Sequence, residues 1–287
     1  MIKLFASDLD GTLLNALHMV DPTIRRALHE VTASGAHFAM ATGRTMRTPQ
    51  DYGFTGVDAE SVCCNGAIVL DRTGKVIHHS AVDPTFIEEL LRAFPAPRAC
   101  FEFVGLEQTF VSGTPDDLQA GYRGDGIARK IMMTGMRARR RQMSRGWAFS
   151  QPASEICRYE ICKVNARTAD EGLERELHAF LGEHADTVVN TPFNPVMFEI
   201  TDARVNKGEA VAWLAGYLGI RPDEVAVYGD GGNDIAMLER FEHAYATSNA
   251  SDAAKRAAGP GHVIGSCAFH AVPKHMVRIV RGQRADR

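Results

Sequence analysis

Apolar residues in this chain fall into short runs that stop at polar clusters, alternating with stretches whose apolar positions recur every three or four residues. The run Ile2 to Ser7 breaks off at Asp8-Leu9-Asp10-Gly11-Thr12 and reads as a buried strand followed by a loop. Asp21-Pro22-Thr23 opens a helix that Ile24, Leu28 and Val31 continue and Gly35 stops. His37 to Ala41 is a second strand, ending in Thr42-Gly43-Arg44. Strand, helix, strand in this order is the crossover unit of a parallel sheet. A third run, Ser61 to Cys64, ends in Asn65-Gly66-Ala67 and continues as a short hairpin through Ile68-Val69-Leu70, with a turn near Asp71 to Gly74.

From about Asp83 the rhythm changes. Pro84 to Phe94 reads as a helix, Ala99 to Val104 and Gln108 to Val111 as strands, and Ile156 to Asn165 as another strand. Glu171 to Leu181 is strongly periodic, and Thr187 to Thr191 and Val196 to Thr201 read as paired strands. Strands alternating less regularly with helices suggest a separate α+β unit. The α/β rhythm returns at Asn206, where Lys207 opens a helix with Val211, Leu214 and Leu218 on its apolar face and a stop at Gly219. Val225 to Tyr228 is a strand ending in Gly229-Asp230-Gly231-Gly232-Asn233-Asp234, followed by a helix from Ile235 to Arg240 and a terminal segment from Val272 to Val280. The expected organisation is an α/β sheet domain, residues 1–82 and 202–287, interrupted by an inserted domain at 83–201.

With 287 residues, 45% hydrophobic and 23% charged, the chain can build one large core or two modest ones. A formal charge of -3 gives no global attraction to nucleic acid or an anionic membrane. The run Arg137, Arg139, Arg140, Arg141 with Arg145 is the local exception and reads as a solvated face. Asp8 and Asp10 interrupt the first apolar run, which excludes it as a signal peptide's hydrophobic region, and no later stretch is long enough to span a bilayer. Six cysteines without CxxC spacing fit reduced, packed thiols, and adjacent Cys63 and Cys64 would face opposite ways on a strand. Together these point to a cytoplasmic protein; a monomer or small homo-oligomer is expected.

Open parallel sheets bind ligands outside the carboxyl ends of their strands, so the polar clusters at those ends can share one site. Asp8 and Asp10 place two carboxylates close together, which a divalent cation would offset; Asp230 and Asp234 would supply further acidic ligands. Magnesium suits hard oxygen ligands of this kind. A carboxylate can attack phosphorus and split hydrolysis into two displacements. Asp8 is the expected nucleophile and Asp10 the acid and base. The phosphoryl group's charge would be met by the Thr42 hydroxyl, the Lys207 ammonium and backbone N–H groups of the Gly11 and Gly43 loops. Taken singly, each has a plain alternative: a surface DxD, a turn at Thr42-Gly43-Arg44, a solvated Lys207, an Asp234 serving as an N-terminal helix charge. Their order along the chain, each at a strand end or helix start, favours a site.

Asp8-Leu9-Asp10-Gly11-Thr12 resembles the first motif of the haloacid dehalogenase superfamily, and Thr42, Lys207 and Gly229 to Asp234 resemble the second, third and fourth. Ala41-Thr42-Gly43-Arg44, Asn65-Gly66-Ala67, Asn206-Lys207-Gly208 and the run ending in Met237 are similar to the Cof-type branch. The resemblance implies a Rossmann-like core with a large α/β cap inserted between the second and third motifs, closing to exclude water. It implies that Asp8 is phosphorylated and that Asp10 is the acid/base, its backbone carbonyl also ligating magnesium. It further implies that Asp230 binds the metal directly, while Asp234 acts through water or orients Lys207. Thr42, Gly43, Lys207 and Asn233 would hold phosphate, with Arg44 and Asn65 at the substrate entrance. Ser248-Asn249-Ala250 fits the family, whereas Ser266 to Val272 departs from its usual Asn-x-x-[Asp/Glu]-Gly-Val stretch.

The expected activity is magnesium-dependent hydrolysis of a small phosphorylated metabolite, a sugar phosphate first and a phosphorylated cofactor second. A phosphotransferase or phosphomutase would share the intermediate. A catalytically silent binding module would be expected to have lost Asp8, Asp10, Lys207 or Asp230, and none is missing. Phe101, Phe103, Phe110 and Tyr122 could line a ring-binding pocket, but aromatics in a small domain more often form its core. His78 and His79 read as surface residues.

Overall fold

The computed structural model describes residues 1–121, 146–192 and 197–285. The arginine run at 137–145, Tyr122 and Val196 therefore lie outside the described residues. The chain divides into two compact units, Met1–His79 with Val205–Arg287, and Ser80–Arg204. The second unit starts three residues before the 83–201 read from sequence and ends three after it. Backbone pairing accounts for the early start, because Val82 N–H donates to the Ile161 carbonyl at 2.7 Å and ties the segment before the helix Pro84–Ala93 to the second unit's sheet.

In chain order the first unit contributes β1 (Leu4–Ser7), β2 (His37–Ala41), β3 (Glu60–Cys63), β4 (Ile68–Leu70) and β5 (Val76–His79). The second holds β6 (Phe101–Gly105), β7 (Thr109–Val111), β8 (Ile161–Arg167), β9 (Val188–Asn190) and β10 (Met197–Asp202). The first unit then resumes with β11 (Val225–Gly229) and β12 (His243–Ala246).

The first unit's sheet has the order β12-β11-β1-β2-β3-β4-β5. β12 through β3 run parallel, and β4 and β5 return antiparallel. Every residue of β1 and β11 is buried, as expected of central parallel strands covered on both faces. One core joins Leu4, Ala6, Ala39, Val62 and Val227 to Val211 and Leu214 of the helix Lys207–Tyr217. The helix Pro22–Thr32 starts at Asp21, whose carboxylate accepts from Thr23 and Ile24 N–H at 2.9 and 3.0 Å. The helix Ala271–Ala285 packs against it.

The second unit's sheet, β7-β6-β8-β10-β9, is antiparallel throughout. Phe101, Phe103, Val164, Phe198 and Ile200 pack with Phe86 and Leu90 of the helix Pro84–Ala93 and with Leu173, Leu177 and Leu181 of the helix Glu171–Glu183. Phe101, Phe103 and Phe110 are thus core residues.

Some elements differ from the sequence reading. The strand expected over Ile156 to Asn165 is a helical turn, Ala153–Ile156, followed by β8 from Ile161. Ile156 is fully buried at the end of that turn, so it is an apolar position that belongs to the core without belonging to the strand. Strands β5 and β12 and the helices Pro115–Ala120 and Asp252–Ala258 were not anticipated. His78 and His79 lie half-buried in β5, and the His78 ring stacks on Trp213 with centroids 4.4 Å apart, so they are not simply surface residues. All six cysteines are free thiols, with Cys63, Cys64, Cys100 and Cys162 buried. Cys64 has φ +54°, so it leaves the strand and the opposite-face expectation does not apply. No described helix is long and apolar enough to cross a membrane.

Candidate active site

Asp8 follows the last residue of β1, and its N–H donates to the Tyr228 carbonyl at 2.9 Å, extending the β1–β11 pairing to the point where both strands end. The chain then turns sharply. Gly11 has φ +82°, and a Cβ there would stand 2.3 Å from Asp230 Oδ2, so both backbone conformation and space require glycine. The turn brings the Thr12 hydroxyl to donate to Asp230 Oδ1 at 2.7 Å.

Lys207 is the first residue of its helix, after the Asn206 cap, and is fully buried. Its Nζ donates to Asp8 Oδ1 at 2.6 Å and to Asp234 Oδ1 at 2.7 Å. Asp234 Oδ2 accepts from the Asp230 and Gly231 N–H groups, each at 2.9 Å. Asp234 therefore uses both oxygens to fix Lys207 and the loop that carries Asp230.

Carboxylate oxygens of Asp8, Asp230 and Asp234 lie within 4.8 Å of one another. Burial, opposed by the Lys207 charge and reinforced by Asp234 and Asp230, pushes the Asp8 carboxyl well above its usual range. Burial also raises Asp230 to about 6, against the Thr12 hydrogen bond and with the Asp234 charge. Burial pulls Lys207 down, but Asp234 and Asp8 outweigh it and raise its pKa, so it stays charged. Three carboxylates facing one ammonium leave the cluster short of positive charge. Among the described residues, the second oxygen of Asp8 and Oδ2 of Asp230 take no protein hydrogen bond. A hard divalent cation fits this all-oxygen donor set.

Asp10 stands outside that group. Arg44 grips it with both arms, Nε to Oδ2 at 2.6 Å and Nη2 to Oδ1 at 2.5 Å, and His18 Nδ1 lies 2.9 Å from Oδ1. Burial raises the Asp10 pKa, yet the hydrogen bonds and charges of Arg44 and His18 outweigh it and hold the carboxyl below its usual range. Arg44, expected at the substrate entrance, thus reaches the acid/base candidate, with its guanidinium 4.6 Å from the Tyr52 ring centroid.

Thr42 is buried at the end of β2, and its Oγ1 accepts from Arg44 N–H at 3.1 Å, leaving the hydroxyl hydrogen to donate. Gly43 lies in the loop between them. Asn65 N–H donates to the Thr42 carbonyl at 3.0 Å, and its Oδ1 accepts from Asn233 Nδ2 at 3.0 Å. Asn65 and Asn233 thus tie two loops of the site together.

Sequence reasoning missed His18, Tyr52 and the specific part of Thr12. A lone histidine in a polar loop carries no pattern, whereas Thr12 lay inside a motif already singled out. Asn249 has a part that fits its family match: its Nδ2 donates to the Gly11 carbonyl at 2.7 Å, and its Oδ1 accepts from Cys267 N–H at 3.0 Å. The atypical segment from Ser266 is thereby tied to the Asp8 to Leu13 turn.

A family model described as haloacid dehalogenase-like hydrolase matches residues 5–276. Phosphatase YwpJ of Bacillus subtilis is 25% identical over 263 residues, spanning 88% of this chain and 91% of that protein. The 5-amino-6-(5-phospho-D-ribitylamino)uracil phosphatase YcsE of the same organism is 22% identical over 258 residues, spanning 90% and 88%. A solved haloacid dehalogenase-like hydrolase from B. subtilis shares the fold, with a TM-score of 0.77 at 24% identity over 96% of this chain and 99% of that one. With the family model spanning nearly the whole chain, and the acidic cluster, buried lysine and sheet order all in place, the chain belongs to the haloacid dehalogenase-like hydrolases.

Proposed function

We propose that this hydrolase is a magnesium-dependent phosphatase of a small phosphate monoester, acting through an aspartyl phosphate on Asp8. The observation that carries the reading is the Lys207 ammonium held between Asp8 and Asp234, 2.6 and 2.7 Å away, beside the Asp230 carboxylate. An ammonium beside a carboxylate favours its ionised, nucleophilic form and offsets charge on an incoming phosphoryl group.

Asp8, Asp230 and Asp234 would hold the cation, directly or through water. When bound, it would supply charge neutralisation for the phosphoryl oxygens. Asp8 attacks phosphorus, the bond to the leaving oxygen breaks, and Asp10, which must first take up a proton against the Arg44 and His18 contacts that favour its ionised form, gives that oxygen a proton. Asp10, now a carboxylate, takes a proton from water, which attacks phosphorus; the bond to Asp8 breaks and inorganic phosphate leaves. Thr42 donates its hydroxyl hydrogen to the phosphoryl group, and Lys207 remains protonated throughout.

The two Bacillus subtilis relatives described above are named as phosphatases, and one of them is named for a phosphorylated ribityl compound, in keeping with a sugar phosphate or phosphorylated cofactor as substrate. The test is phosphate release across a panel of phosphorylated metabolites, with and without magnesium, for the wild type and Asp8→Asn. The amide is nearly isosteric but a poor nucleophile, so turnover should vanish while the circular dichroism spectrum is kept. Retained turnover in that variant would reject Asp8 as the attacking group. Phosphorylated products in place of inorganic phosphate would assign a phosphotransferase.

A further inference from the structure

We infer that His18 is a positioning residue for the Asp10 carboxylate, acting from the loop after the first motif. The inference rests on the reading of Asp10 as the acid and base.

The bidentate Arg44 grip ties Asp10 to one side chain. A third contact ties it to a second loop, with His18 Nδ1 2.9 Å from Oδ1. The ring is aimed by its backbone. His18 has φ +54°, the left-handed region that residues with a Cβ seldom occupy. A small network holds the turn: Asn15 Oδ1 accepts from Leu17 and Met19 N–H at 3.0 and 3.1 Å, and His18 N–H donates to the Asn15 carbonyl at 2.8 Å. Asn15 Nδ2 in turn donates to Asp21 Oδ2 at 3.1 Å, and His270 Nε2 lies 2.6 Å from that oxygen. The loop is thus anchored to the start of the helix Pro22–Thr32 and to His270, just before the helix Ala271–Ala285. Arg44 is braced separately by Tyr52, whose hydroxyl donates to the Thr45 carbonyl at 2.9 Å. Two independently braced donors converging on one carboxylate leave it little freedom, as an acid and base that must reach a leaving oxygen and then a water requires.

Two substitutions separate the ring from the turn. His18→Gly removes the ring and accepts the positive φ without strain. His18→Asn also tolerates the left-handed region and places an amide N–H the same number of bonds from Cα as Nδ1. Steady-state kinetics would be measured on an alkyl phosphate, whose leaving group needs protonation, and on p-nitrophenyl phosphate, whose leaving group needs little. His18→Gly should lose about tenfold in kcat on the alkyl ester and less than about threefold on the aryl ester, with KM within about twofold on both. His18→Asn should recover most of the loss. Equal losses on both esters, unchanged kcat on the alkyl ester, or no recovery in His18→Asn would each overturn the inference. Asp10→Asn is run beside them. If it keeps full turnover, the acid/base reading of Asp10 itself fails; if it is inactive while His18→Gly is not impaired, only the part given to His18 fails.

Discussion

Replacing Lys207 by Met keeps an unbranched side chain of similar length and deletes one buried charge. The ammonium is fully buried and bridges Asp8 and Asp234. Removing one partner of a buried ion pair costs about 3–5 kcal/mol, because the remaining charge is left uncompensated. For a chain of this size that is a fall in melting temperature of roughly 5–8 °C in chelating buffer at pH 8. The pH dependence has a definite sign. Burial, with Asp234 and Asp230 as neighbours, already raises Asp8, and Lys207 is what restrains it. Without the lysine the folded Asp8 pKa rises further above its unfolded value. Stability tied to its protonated form is then present at low pH and lost as pH rises through the folded pKa. The deficit of Lys207→Met should therefore be smaller at pH 5 than at pH 8, and turnover should be absent at both. Differential scanning calorimetry at the two pH values decides it. A fall under about 2 °C at pH 8, or a larger deficit at pH 5, would show that Lys207 does not hold the cluster together.

Three further outcomes follow from the same geometry. In cation-free protein Asp230, at about 6 in the fold, contributes stability that is full below 3.8 and lost as pH rises through 6, roughly 1–3 kcal/mol over that window. Added magnesium should raise the melting temperature more at pH 8 than at pH 5, and equal gains would contradict this. Gly11→Ala forces a methyl group toward Asp230 Oδ2 at a φ of +82° and should cost about 1–3 kcal/mol in chemical denaturation, together with at least about a tenfold loss of turnover. A variant with wild-type activity would contradict the close packing of the two loops. Burial, helped by the Arg278 charge and His262, pulls His275 from 6.5 to about 4, so its stabilising contribution is full above 6.5 and lost as pH falls through 4. Discounted for partial exposure this is about 1–2 kcal/mol; His275→Gln, which can still accept from the Tyr228 hydroxyl, should flatten that part of the stability profile measured in urea.

The legible parts of the chain were those where one local pattern had one structural outcome. β1 and β11 are uninterrupted apolar runs that end in acids, and a parallel strand buried on both faces leaves that signature. Lys207 was legible because Asn206 and the helix behind it fix its place at an N-terminus. The missed edge strands lacked that pattern. β12 reads His-Ala-Tyr-Ala, and its second and fourth residues alone are buried. β5 is half-buried at every position. The partners of Asp10 were illegible for a different reason: Arg44 and His18 meet it across separations of 34 and 8 residues, and a side-chain convergence that depends on a left-handed turn leaves no periodicity to read.

That convergence also gives two aspartates two residues apart different surroundings, which the proposed mechanism would put to different work. Both are desolvated, which by itself disfavours either charge. Around Asp8 the neighbours are mainly other carboxylates, so its ionised form depends on Lys207 and on a cation that the donor set is suited to hold. Around Asp10 the neighbours are a guanidinium and an imidazole, so its ionised form is favoured by the protein alone. An attacking carboxylate whose charge is matched by groups that also face the phosphoryl oxygens is stabilised most when phosphorus is in place. A carboxylate matched by donors of its own is instead ready to accept a proton, as cleavage of an aspartyl phosphate by water demands. On the proposed reading, the separation of roles would follow from which charges surround each acid, and a change that moved Arg44 or His18 away from Asp10 should weaken it without touching Asp8.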